Sequence, residues 1–132
     1  MSKKIVLIVF AFILSMPLIA QDYESAFQQM KVAFNNGDYA NISNLFSDSV
    51  DLTVNSTNGI FSKTQAKGIL KNFFESDKPK SFQLKHQGSS NGGTMYVIGL
   101  FISQKGSYRV YALYRNIQGS PKIVQLQIDE EL

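Results

Sequence analysis

Residues 94–114 read TMYVIGLFISQKGSYRVYALY, and the layout of this stretch decides the fold. From Met95 to Ile102 nearly every position is apolar, the pattern of a central strand covered on both faces. Gln104, Lys105 and Gly106 then supply a turn. Beyond it Tyr108, Val110, Ala112 and Tyr114 alternate with Arg109, Tyr111 and Arg115, so one face of this second strand is apolar and the other amphipathic. The stretch is read as the central hairpin of an antiparallel sheet.

Working outward, Gln118 and Gly119 turn the chain into a last strand over residues 122–128, with Val124, Leu126 and Ile128 expected inward. Residues 129–132, DEEL, are expected to be a solvated tail. On the other side of the hairpin, residues 88–93 (GSSNGG) form a flexible connection. Before it Phe82, Leu84 and His86 fall on one strand face and Gln83, Lys85 and Gln87 on the other.

Further upstream the period becomes helical. Ser62 and Gln65 have the spacing of a capping box, opening a helix that buries Ala66, Ile69, Leu70, Phe73 and Phe74 and ends before Pro79. Its outer face carries Lys63, Lys67 and Lys71. Val50, Leu52 and Val54 alternate with Asp51, Thr53 and Asn55 as a half-buried strand, which turns over residues 56–59 into a short return at Ile60 and Phe61. Two helices precede it. Asp22 can cap the first, with Tyr23, Ala26, Phe27, Met30, Ala33 and Phe34 as its stripe and Gly37 as its C′ residue. Asp38 caps the second, with Tyr39, Ile42, Leu45 and Phe46 inward.

This order is α+β: a curved, mostly antiparallel sheet wrapped around N-terminal helices. FSDSVDLTV, followed by a turn and a capped helix and later by the aromatic hairpin, resembles the nuclear transport factor 2-like superfamily of cone-shaped domains. The segments GIFSKTQAKGILKNFF, SFQLKHQGSS and YRVYALYR resemble a family of small secreted bacterial proteins whose role is unassigned.

The chain has 132 residues, 44% hydrophobic and 17% charged, which fits one globular domain. Its start is separate. Lys3 and Lys4 precede a nearly unbroken apolar run that ends at Ala20, the layout of a secretory signal peptide over residues 1–20. A single domain would then occupy residues 21–132, periplasmic or secreted, with no stable membrane insertion after cleavage between Ala20 and Gln21. The alternative is an uncleaved anchor helix, for which the run is short against the roughly 20 residues of a bilayer span.

Loss of Lys3 and Lys4 takes the net charge from +3 to +1, which removes the main support for nucleic-acid binding. The sequence has no cysteine, so it offers neither a disulfide framework nor a lipid-acceptor thiol. With one histidine and no cysteine, a transition-metal site is not expected. No cofactor motif is present.

The resemblance implies that an enzyme of this fold would line the cone with a carboxylate base and polar partners. The position the base would occupy falls near Val54, which cannot move a proton. Asp51 is the nearest carboxylate, but it alternates away from Val50, Leu52 and Val54; a bulge before it would reverse that. His86 shares a face with Phe82 and Leu84, where it is either a general acid–base or a structural histidine. Tyr96, Tyr108, Tyr111 and Tyr114 are either cross-strand packing or a ligand surface. Arg109, Tyr111 and Arg115 form either a patch for an anionic ligand or partner, or the solvated outer face of the sheet.

Two functions follow. One is an exported, non-catalytic module that binds a small ligand or an envelope protein through the cone or the sheet face, with Arg109, Tyr111, Arg115, Tyr96 and His86 as contact residues. The other is a small-pocket isomerase, dehydratase or hydrolase using His86, with Asp51 or a tyrosine as partner. A homodimer through the open sheet face is compatible with both.

Overall fold

A computed structural model describes residues 18–131. Residues 1–17, most of the expected signal peptide, lie outside the described residues. Helix α1 (Leu18–Asn36) already includes Leu18 to Gln21, so Asp22 is inside the helix rather than its cap. All six residues of the expected stripe are buried. The helix ends in a Schellman motif: Gly37 N–H donates to Phe34 O at 3.2 Å, and Asp38 N–H to Ala33 O at 2.8 Å. Gly37 has φ +62°, the left-handed conformation this motif needs. Asp38 then accepts from Asn41 N–H at 3.1 Å and caps α2 (Tyr39–Asn44).

Strand β1 (Phe46–Val54) begins earlier than its alternation suggested, so Phe46 belongs to the sheet rather than to α2. A two-residue turn at Asn55 and Ser56 returns it as β2 (Thr57–Ser62). The capping box of α3 (Lys63–Ser76) is present in both directions. Gln65 N–H donates to Ser62 Oγ at 3.2 Å, and Ser62 N–H to Gln65 Oε1 at 3.0 Å. Four long strands complete the chain: β3 (Pro79–Ser89), β4 (Met95–Ser103), β5 (Ser107–Ile117) and β6 (Ser120–Glu130). The acidic end therefore extends β6 as far as Glu130, because Asp129 and Glu130 stay in register with Arg109 and Tyr108.

The strand order is β2-β1-β6-β5-β4-β3. Neighbours run antiparallel except β1 and β6, which are parallel. The three helices lie against one face, here called concave. Phe34 stacks on Phe82 at 4.7 Å and meets Phe101 and Phe74 edge-on, while Phe27 meets Tyr114 edge-on at 5.1 Å. The buried apolar residues of all three helices belong to this cluster, which leaves the convex face without a covering element among the described residues.

One edge of the sheet is closed by a side chain. Asn35 Oδ1 accepts from Phe82 N–H at 2.9 Å and its Nδ2 donates to Phe82 O at 3.2 Å, so the amide takes the place of a neighbouring strand on β3.

Candidate functional site

Inside the cone the side chains are aromatic and aliphatic. Phe27, Met30, Phe34, Phe82, Phe101 and Tyr114 are each no more than 2% exposed. Tyr114 donates its hydroxyl to the Met30 sulfur at 3.3 Å, and burial pushes its pKa up. The buried Tyr23 hydroxyl has no partner among the described residues.

His86 is not in the cone. Leu84 pairs with Gly99 but His86 pairs with Ile98, so Lys85 is an extra residue and every side chain after it changes face. The shared face expected for Phe82, Leu84 and His86 therefore holds only for the first two. Phe82 is buried and Leu84 packs on the core, whereas His86 is exposed on the convex side. Asp51 is also convex, as its alternation predicted: Val50, Leu52 and Val54 are buried and Asp51 is half-buried. The irregularity before Asp51 does not reverse that. His86 and Asp51 stand four ladder steps apart, about 19 Å at ~4.8 Å per step, too far to share a proton.

The buried carboxylate is one the sequence reading passed over. Asp77, the C-cap of α3, is 3% exposed. It accepts from Ser103 Oγ at 2.7 Å, from Tyr108 Oη at 2.7 Å and from Lys105 N–H at 3.0 Å. Burial alone would raise its pKa; these hydrogen bonds, with the Lys105 charge, outweigh burial and hold it below the ordinary carboxylate value. Tyr108 is pushed up to about 12 by burial, by its bond to Asp77 and by the charges of Asp77 and Glu130. The trio fastens the end of α3 to the β4–β5 hairpin.

Strand β4 departs from the expected double burial. Val97, Gly99, Phe101 and Ser103 are buried, whereas Tyr96, Ile98, Leu100 and Ile102 are half-exposed on the convex face. Tyr111 and Leu113 of β5 continue that surface, and Arg109 borders it opposite Asp129. Tyr96 and Tyr111 stack at 6.3 Å with 21° between their planes, and the Tyr96 ring lies over Gly88 on β3. Of the four hairpin tyrosines, then, Tyr108 and Tyr114 are core and Tyr96 and Tyr111 are surface. Arg109, Tyr111 and Arg115 do share one face, with Arg109 and Arg115 exposed.

Val124 also differs from its expected inward position. Leu113 pairs with Gln125 and Tyr114 with Ile123, so Val124 is an extra residue in β6; Ile123, Leu126 and Ile128 take the buried places. The same point is irregular on the β1 side, where Phe46 pairs with Ile123 and pairing resumes only at Asp51 with Gln125. The gap opens a groove of 620 Å³ on the convex side. Asp48 and Asp51 line it, as do Lys63, Leu113, Arg115, Lys122 and Val124.

Among the described residues no three His, Asp or Glu side chains converge as a metal site, and no helix is long and apolar enough to cross a membrane.

Sheet, helices and filled interior define an α+β cone of the nuclear transport factor 2-like and cystatin-like kind. Within that class the chain belongs to the family described as Domain of unknown function (DUF4783), whose pattern matches residues 27–129. A solved DUF4783 protein from Bacteroides uniformis is 28% identical, with TM-score 0.74 over 80% of this chain and 96% of that one. Another, from Bacteroides ovatus, is 26% identical, with TM-score 0.73 over 79% and 94%. A Nostoc punctiforme domain of unknown function with a cystatin-like fold is similar in fold alone, at 12% identity and TM-score 0.69 over 85% and 78%. No curated protein matches the chain.

Proposed function

We propose that this protein is an exported, non-catalytic interaction module that meets an envelope protein through the convex face of its sheet. The observation that carries the reading is the contrast between a filled cone and an uncovered outer face bearing Tyr96, Ile98, Leu100, Tyr111 and Leu113. A contiguous aromatic and aliphatic surface bordered by Arg109 and Arg115 has the composition of a contact patch, in which Tyr and Arg are the usual anchors. The alternative, an enzyme using His86 in the cone, loses its base to the bulge at Lys85. Export rests on the basic start and apolar run of residues 1–20.

The test replaces Tyr111 with a photo-reactive benzoylphenylalanine in cells, with the same replacement at the exposed helix residue Lys67 as control. A specific adduct from position 111 and none from 67 is the expected result. An adduct of twice the chain mass would identify the partner as a second copy. Absence of any adduct at 111 contradicts the surface. N-terminal sequencing checks export: processed protein beginning at Gln21 is expected, and unprocessed protein retained inside the cell contradicts it.

A further inference from the structure

The groove at Val124 has features that the fold does not require. Both ladders of β6 break at one residue, and bulges of this kind re-aim side chains at sites of contact. The Ser47 hydroxyl fills the β1–β6 gap only in part, donating to Ile123 O at 3.3 Å and to Ser49 O. Backbone of β1 between Phe46 and Asp51 is thus left unladdered to β6 beside the groove.

Two of its cations stand side by side. Arg115 and Lys122 are direct cross-strand partners, and both line the groove. Like charges placed opposite each other destabilise a sheet, and an anion between them would remove that penalty. On the β1 side Asp48, Asp51 and Lys63 line the groove. Between them Leu113 and Val124 lie in the groove beside Gln125, and Ile60, 76% exposed, stands at its β2 rim.

We infer that this groove receives an extended peptide segment of a partner protein, with an acidic side chain on the Arg115–Lys122 pair and apolar side chains against Leu113, Val124 and Ile60. Charge complementarity selects the acidic residue. The unladdered β1 backbone selects a peptide over a simple amphipathic anion, because a peptide brings N–H donors as well as a carboxylate. The inference rests on the convex-face reading and narrows it to one end of that face.

The experiment follows amide NMR signals of isotope-labelled protein, purified after expression of the full chain, during titration with two pools of short synthetic peptides. Both pools are blocked at their ends and randomised among apolar residues; one has a fixed central Glu, the other a fixed central Lys. The Glu pool is expected to shift Leu113, Arg115 and Val124 and to bind about tenfold more tightly than the Lys pool. The double variant Arg115→Glu, Lys122→Glu is expected to reverse that preference. No groove shift with the Glu pool at millimolar concentration overturns the inference, whether or not the variant folds. Equal groove shifts with sodium decanoate overturn the peptide assignment, and dilution-dependent groove signals in protein alone assign the groove to a second copy instead. Shifts confined to Tyr96, Ile98 and Tyr111 overturn the groove and leave the wider face standing; the cross-link at position 111 decides that face separately.

Discussion

Strand β4 sends Val97, Phe101 and Ser103 to one side of the sheet and Tyr96, Ile98, Leu100 and Ile102 to the other, and the two sets meet different surroundings. On the concave side Val97 and Phe101 are fully buried under three helices. On the convex side the more apolar set is half-exposed, packed only by its neighbours in the sheet. Alternation along a strand assigns side chains to faces, but it does not say which face will be covered. That depends on where the helices fall. Here the described helices all fall on one side, so the second apolar face is packed only by its neighbours in the sheet and adds less to the stability of the monomer.

The comparison is broken most easily by truncation. Phe34→Ala removes a fully buried ring that contacts Phe74, Phe82 and Phe101, and should cost about 3–5 kcal/mol. Ile98→Ala, on the half-exposed face, should cost ~1 kcal/mol or less. Urea unfolding measures both; equal losses would show that the two faces are not energetically distinct.

Asp77→Asn should cost about 1.5–3 kcal/mol near neutral pH, since it weakens three hydrogen bonds to a buried carboxylate. Because the folded pKa lies below the unfolded value, the contribution of Asp77 is present above the ordinary carboxylate value and is lost as pH falls through the lower folded one. The difference between wild type and variant should therefore shrink under acid, as unfolding at about pH 7 and about pH 3 would show. A difference independent of pH would mean that the carboxylate charge is not what holds the β4–β5 hairpin to α3.

Two glycines sharpen the comparison further. A Cβ on Gly99 would lie 2.5 Å from the Phe82 ring and 2.9 Å from Gln83 O, both fixed by packing, so Gly99→Ala should cost about 1–3 kcal/mol. A Cβ on Gly88 would meet the Tyr96 ring at 3.0 Å, on the open side where that ring can swing aside. Thermal unfolding should show the smaller loss for Gly88→Ala; the reverse order would contradict the account of the two faces.

Much of this was legible in the sequence. The stripe of α1, the capping box at Ser62 and Gln65 and the central hairpin are short-range patterns, and local periodicity or hydrogen bonding specifies them. What was illegible depends on pairing between strands. No residue near Lys85 or Val124 signals that the register slips there, yet those two slips carry His86 out of the cone and Val124 into the groove. The continuous apolar run of β4 was read as double burial because sequence cannot distinguish a face covered by a helix from one left open. Nothing in the sequence singles out Asp77, because its partners, Ser103 and Tyr108, lie 26 and 31 positions away.

Residue-resolved footprinting of Tyr96 and Tyr111 most directly tests whether the open face is a contact surface. Hydroxyl-radical labelling would be compared between the purified protein and the protein in intact cells, with exposed Val32 as internal control. The account predicts that both tyrosines are labelled in the purified protein at low concentration and protected in cells, while Val32 is labelled in both. Equal labelling of Tyr96 and Tyr111 in the two settings would contradict it.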